Sequence, residues 1–225
     1  MFEVLIGGMV GVASGMRHAM EPDHLAAVST FAVRGSKPTS AMRFAAAWGA
    51  GHALMLLLVS GTLVLTRREL PFAVGQAFEV GVAVLLVALG VRAIAQRADL
   101  IPHAHEGGVV HVGHHHPTDA TADEGLATLA RPLLVGVVHG LAGSGALSAL
   151  TMATVGSPAA GIAYVALYGF GAMLGMALLA GIAGAPLARL AQSKLAMRSL
   201  TVATGLVSVA VGLAWGAEAA RHLVG

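Results

Sequence analysis

The chain has 225 residues, of which 56% are hydrophobic and only 11% are charged, against roughly 25% charge in an average soluble domain. It contains no cysteine, and its net charge of +2 comes from basic residues spread over short loops, which excludes disulfide bonds, thiolate metal sites and a nucleic-acid interface. We therefore predict an all-α polytopic membrane protein that is not an enzyme and holds no permanent cofactor.

Six apolar segments have the length of about 20 residues that is needed to cross a hydrocarbon core of ~30 Å. They cover residues 2–33, 41–66, 72–96, 131–154, 158–185 and 197–220. The N-terminus lacks a basic n-region, so the first segment is expected to be a retained span and not a cleaved signal. A polar segment separates the third and fourth spans. It divides the chain into residues 1–96, a loop at 97–130, and residues 131–225.

The first span contains a polar motif, His18 followed by Asp23-His24. A charged residue at the centre of a spanning helix costs about 2.5–3.5 kcal/mol, so this motif needs a function or a pairing. Pro22 cannot donate to the carbonyl of His18, so we expect a broken helix that leaves this carbonyl free and lets the ligands converge. Two imidazoles and a carboxylate suit Ni²⁺, Co²⁺ or Zn²⁺. Alternatively, the motif is an interfacial turn with both histidines at headgroup level.

Three further polar residues lie within predicted spans. His52 follows Gly49 and Gly51, which would let another helix approach closely and receive a third imidazole. His139 begins a run of small residues and is a weaker candidate ligand, and Glu79 is a candidate partner of a ligand or a proton carrier. Alternatively, His52 and His139 are each bonded to a carbonyl across a helix interface, and Glu79 lies near the membrane surface.

The polar loop carries a cluster of histidines that is typical of a low-specificity metal-binding tract. Its glycines and lack of apolar periodicity predict a mobile segment that collects ions without selecting among them. Imidazoles titrate near pH 6.5 and bind metal when neutral, so capture should weaken below about pH 6. A solvated linker without a metal role is the alternative. These histidines are His103, His105, His111, His114, His115 and His116.

Charge and repetition predict the topology. Most Arg and Lys residues fall on one side of the predicted spans, which places both termini outside and the histidine-rich loop in the cytoplasm. The Gly15–His18 segment recurs as Gly136–His139 at an offset of 121, and Trp48–Gly51 recurs as Tyr168–Gly171 at 120. Three spans in each half require opposite orientations, so we predict a 3+3 inverted repeat with its substrate site at the midplane.

These motifs also resemble those of a known family. The His-x4-Asp-His pattern beginning at His18, preceded by Arg17 and followed by Gly51-His52, resembles the signature of the nickel–cobalt transporter family. The run beginning at His139, in a six-span chain, resembles its urease-accessory nickel permease branch. Glu21-Pro22 replaces the usual Asp-Ala before Asp23, and the later motifs of eight-span members are absent.

The resemblance implies a role for each matched residue. His18, Asp23, His24 and His52 would select and bind the ion, with Ni²⁺ or Co²⁺ as transported substrate. It also implies an inner-membrane location, with the bilayer, a cytoplasmic metallochaperone and urease or hydrogenase maturation proteins as partners. Uptake driven by the membrane potential is the simplest hypothesis. Efflux by proton antiport, or a membrane metal sensor that docks a chaperone without transport, are the alternatives.

Overall fold

The computed structural model describes residues 2–32, 38–95, 103–104, 110–111, 122–190 and 193–224. Within these ranges the chain forms eight helices, which confirms the helical class predicted from composition. A two-residue antiparallel hairpin within the histidine-rich loop was not predicted. The elements are α1 Phe2–His18, α2 Pro22–Ala32, α3 Pro38–Thr66, α4 Phe72–Ala95, β1 His103–Ala104, β2 Val110–His111, α5 Ala122–His139, α6 Ser144–Thr154, α7 Pro158–Leu190 and α8 Lys194–Val224.

Four helices have stretches long and apolar enough to cross a membrane, namely Thr39–Thr66, Phe72–Ala95, Pro158–Ala183 and Arg198–His222. The helices α5 and α6 together supply a fifth if the bent pair is one span. The protein is therefore a multi-pass membrane protein. The remaining predicted span, at residues 2–33, is divided between α1 with 17 residues and α2 with 11.

The break between α1 and α2 lies where the sequence predicted it. Pro22 is the first residue of α2, a position where the missing N–H costs nothing and the fixed φ favours the helix. The prediction that Pro22 would leave the carbonyl of His18 free is wrong. This carbonyl accepts a hydrogen bond from the N–H of Glu21 at 3.0 Å. The chain therefore makes a tight turn that places His18 and Asp23 on facing helix ends.

A second break, which the sequence analysis did not predict, divides residues 131–154. Here α5 ends at His139, α6 begins at Ser144, and the two helices are bent by 60°. Gly143 adopts a left-handed conformation with φ of 75°, which glycine reaches without steric cost. The two helices together are apolar enough for one membrane span, so composition gave no sign of the bend. Helix α5 also begins at Ala122, inside the segment assigned to the loop.

Helices of each half of the chain pack against helices of the other half. Gly15 of α1 lies so close to the carbonyl of Tyr168 in α7 that a methyl group would overlap it, and Gly136 of α5 lies in the same way against the carbonyl of Trp48 in α3. The contacts show that α1 runs parallel to α7 and α5 parallel to α3, whereas α3 and α7 are antiparallel. Each half therefore packs its broken segment on the long helix of the other half.

The last helices of the two halves, α4 and α8, also pack against each other. Gly90 of α4 lies against the backbone of Gly205 in α8, and Gly212 of α8 lies against that of Ala83 in α4. These helices are also antiparallel. Glycine contacts of this kind bring backbones close together, as is typical of membrane helix pairs, and α2 contacts both helices of this pair.

Candidate metal centre

Five polar residues meet where three helix ends approach the middle of α3. Asp23, His24, His52 and His139 are 5%, 1%, 0% and 1% exposed, and the side chain of His18 is 12% exposed. His18 ends α1, Asp23 and His24 begin α2, and His139 ends α5. The bundle therefore gathers all four candidate histidines of the predicted spans and the candidate aspartate into one buried cluster.

Glycines account for the close approach of α5 to α3 at this cluster. A Cβ on Gly136 would lie 2.9 Å from the amide nitrogen of His52, and one on Gly140 would lie 2.6 Å from the carbonyl oxygen of His52. These positions tolerate no side chain without a shift of backbone. The absence of Cβ atoms thus lets His139 enter the cluster from the second half of the chain.

Asp23 joins two of the imidazoles. Its Oδ1 lies 3.0 Å from Nδ1 of His24, and its Oδ2 lies 2.9 Å from Nε2 of His139. Glu21, which is half exposed, pairs with Nδ1 of His18 at 2.9 Å. A carboxylate only accepts hydrogen bonds, so each facing imidazole nitrogen carries the proton. The second nitrogen of each neutral ring then keeps its lone pair.

Those second nitrogens are buried, and no described residue bonds to them. They are Nε2 of His18, Nε2 of His24 and Nδ1 of His139, and both nitrogens of His52 are in the same state. Leaving a buried polar group unpaired costs about 1–3 kcal/mol. A cluster of such groups in one place needs a reason for its persistence, and a bound cation would supply one.

The imidazole rings are in mutual contact. The ring centres of His18 and His24 are 4.3 Å apart, those of His24 and His52 5.0 Å, and those of His24 and His139 4.5 Å. One ligand atom from each of His18, His24 and His52 lies within 4.8 Å of the others, and the same is true of Asp23, His24 and His139. The geometry therefore offers two overlapping sets of ligands that share His24.

Other predicted site residues are not brought into this cluster. Glu79 lies partly buried in α4 and belongs to neither set of potential ligands among the described residues. The backbones of His103 and His111 pair across the short hairpin. His105, His114, His115 and His116 lie outside the described residues.

Two aromatic rings, which the sequence did not predict, lie beside the site. The ring centre of Tyr168 is 5.5 Å from that of His18, and the ring centre of Trp48 is 5.3 Å from that of His139. Trp48 and Tyr168 are equivalent positions of the predicted repeat, although neither was predicted to lie at the site. That equivalence was the signal that could have placed one aromatic ring beside each of the two matched histidines.

Comparison with known proteins gives one informative relative. The chain is 31% identical over 204 residues, which is 91% of its length and 87% of the relative's, to a protein of Bacillus sp. (strain TB-90) named urease accessory protein UreH. No family model matches the chain, and no solved structure matches it.

Proposed function

The chain belongs to the family of urease accessory protein UreH, and from this membership we propose that it is a permease for divalent transition-metal ions. The ion is Ni²⁺ or Co²⁺, and it moves inward across the inner membrane. One observation carries the proposal, which is the buried cluster of His18, Asp23, His24, His52 and His139 inside a bundle of apolar helices.

The chemistry of the cluster suits a late first-row metal. Imidazole nitrogens bind Ni²⁺, Co²⁺ and Zn²⁺ well, whereas Mg²⁺ and Ca²⁺ prefer sites made of oxygen ligands. Polar side chains inside apolar helices are costly, and those that persist there commonly mark the path of an ion. The cluster is therefore proposed as the point that a transported ion must pass.

The membrane potential is sufficient to drive uptake. A divalent cation moving inward gains about 4.6 kcal/mol per 100 mV, twice the value for one charge. This supports a concentration ratio of about 2,000 without a coupled ion. Uptake therefore requires only a binding site that opens to each side in turn.

We also propose six spans arranged as a 3+3 inverted repeat, with both termini outside. The glycine contacts between the two halves support this arrangement. Gly15 packs on the carbonyl of Tyr168 in the same way as Gly136 packs on the carbonyl of Trp48. The antiparallel packing of α3 on α7 is expected if the halves face opposite ways. In this arrangement α1 with α2 and α5 with α6 are the two broken spans, and the cluster lies at the midplane between repeats.

The remaining assignments extend the same proposal. Residues 97–130 would lie in the cytoplasm, where their histidines collect ions released from the cluster. A cytoplasmic metallochaperone or the proteins of urease or hydrogenase maturation would then receive the metal. The name of the relative, a urease accessory protein, supports a link to urease.

Uptake into proteoliposomes tests the proposal. Purified full-length protein should accumulate radioactive Ni²⁺ when the interior is negative, with Co²⁺ and Zn²⁺ measured as competitors, and His52→Ala should abolish uptake. His222→Ala is the matched control, because His222 is an exposed histidine near the end of α8. Metal binding without uptake at either sign of the potential would instead identify a sensor. Transport that requires an opposing proton gradient would identify an efflux antiporter.

A further inference from the structure

The contacts of Asp23 separate the residues that bind the ion from those that orient its ligands. We propose that the imidazoles of His18, His24 and His52 bind the ion, an inference that rests on the proposed function. Asp23 is then a positioning residue that orients His24, and His139 in turn holds Asp23. This division differs from the role of direct ligand that the sequence motif suggests for Asp23.

Both oxygens of Asp23 already have partners. Oδ1 accepts from Nδ1 of His24 at 3.0 Å and Oδ2 accepts from Nε2 of His139 at 2.9 Å. Coordination of an ion by Asp23 would have to compete with these two hydrogen bonds in a buried place. The bond from His24 instead leaves Nε2 of that ring with its lone pair, buried and without a partner among the described residues. A carboxylate that bonds the far nitrogen of a histidine is the usual support of a metal-binding imidazole.

His18 repeats this arrangement and His52 completes it. Nδ1 of His18 pairs with Glu21 at 2.9 Å, which leaves Nε2 of His18 buried and unbonded by any residue the structure describes. His52 is fully buried and offers either nitrogen. Ring nitrogens of these three residues lie within 4.8 Å of one another. Each of the three rings therefore has a buried nitrogen without a partner among the described residues, and the rings lie close enough together to share one ion.

The spacing of these ring nitrogens suits one ion after a small contraction. Metal–nitrogen bonds of about 2.0–2.1 Å place tetrahedral ligand atoms about 3.3 Å apart. The ligand atoms must therefore approach by at most about 1.5 Å from the separation of up to 4.8 Å that the structure gives.

His139 then has a role that differs from that of a ligand. It lies on α5, in the second half of the chain, and its hydrogen bond to Asp23 crosses from α5 to α2. A donor at this position fixes the carboxylate and, through it, His24. Glutamine at position 139 could donate a similar hydrogen bond, whereas leucine could not.

The test counts imidazoles on bound Ni²⁺ by X-ray absorption at the nickel edge, using full-length protein in detergent with one equivalent of Ni²⁺ alone. The parent for all variants has its loop histidines replaced by Asn, so that they add no signal. We expect three imidazoles in this parent and two in His52→Ala. The replaced residues are His103, His105, His111, His114, His115 and His116.

The positioning variants give the decisive comparison. Asp23→Asn and His139→Leu should each retain three imidazoles while the Kd for Ni²⁺ rises by about 10–100-fold. His139→Gln should restore an affinity close to that of the parent, which a merely space-filling role would not require. If Asp23→Asn does not fold, the Leu and Gln variants at position 139 still test the inference.

Two outcomes would overturn the inference. Four imidazoles in the parent would show that His139 coordinates the ion directly. Two imidazoles in the parent, with one lost in His139→Leu, would assign the ion to Asp23, His24 and His139. Because binding is measured in detergent, it is independent of uptake. A site of three imidazoles in a protein that does not transport would refute the proposed function and leave this inference intact.

Discussion

Replacement of Gly136 by alanine tests how closely helix packing controls the site. The new Cβ would lie 2.8 Å from the carbonyl carbon of Trp48 and 2.9 Å from the amide nitrogen of His52, whereas nonbonded heavy atoms pack best at about 3.5–4.0 Å. The carbonyl oxygen of Trp48 lies closer still, so helices α3 and α5 must separate by at least about 1 Å. Overpacking of this kind costs about 3 kcal/mol, because backbone atoms cannot rotate away as a side chain can.

Two measurements follow from this separation. The Tm in detergent should fall by about 6–12 °C. The Kd for Ni²⁺, measured with the loop histidines replaced, should rise by about tenfold or more, because His52 moves by half the length of a metal–nitrogen bond. Gly81→Ala is the matched control, because nothing lies within 4 Å of a Cβ at that position in α4. Unchanged Tm and Kd in Gly136→Ala would refute the packing argument.

Two further predictions concern the loop and a helix contact. Deletion of residues 102–117 should slow uptake at scarce metal and leave the order of metal preference unchanged. The effect of the deletion should shrink below about pH 6, where imidazoles near pH 6.5 become protonated, and loss of uptake at saturating metal would place the loop in the permeation path. Ser60→Ala removes a buried hydrogen bond of 2.9 Å to the carbonyl of Ser144 and should lower stability by about 1 kcal/mol. Thr62→Ala, which removes an exposed bond to Leu58, should change the Tm much less.

The sequence predicted the helical class and the first break because each has a strong local cause. Long apolar segments need only their own composition to be recognised, and Pro22 lacks the N–H that would extend the hydrogen bonds of α1 and is favoured as the first residue of a new helix. The bend after His139 has no such marker. Gly140 and Gly143 permit a bend without requiring one, so the contacts of α5 with α3 and of α6 with its neighbours decide the conformation there.

The sequence singles out the residues that the structure brings into the buried cluster, but not the hydrogen bonds between them. His18, Asp23 and His24 stand out because charge is rare in an apolar segment, and His52 is marked by its flanking glycines. The approach of His139 to Asp23 depends on the packing of two segments 116 residues apart. Sequence periodicity carries no information about such a distance. The sequence likewise could not show that both oxygens of Asp23 have partners.

In the proposed repeat, one of the two halves carries most of the candidate ligands. His18 and His139 occupy equivalent positions at the ends of α1 and α5, each beside an aromatic ring of the opposite half. At the positions equivalent to Asp23, His24 and His52, however, the second half has Ser144, Gly145 and Ala172. These residues offer no imidazole or carboxylate, so the second half has no equivalent of these three candidate ligands. The bond between His139 and Asp23 instead ties one half to the other. A change in their relative position would therefore alter the orientation of His24 and the affinity for the ion.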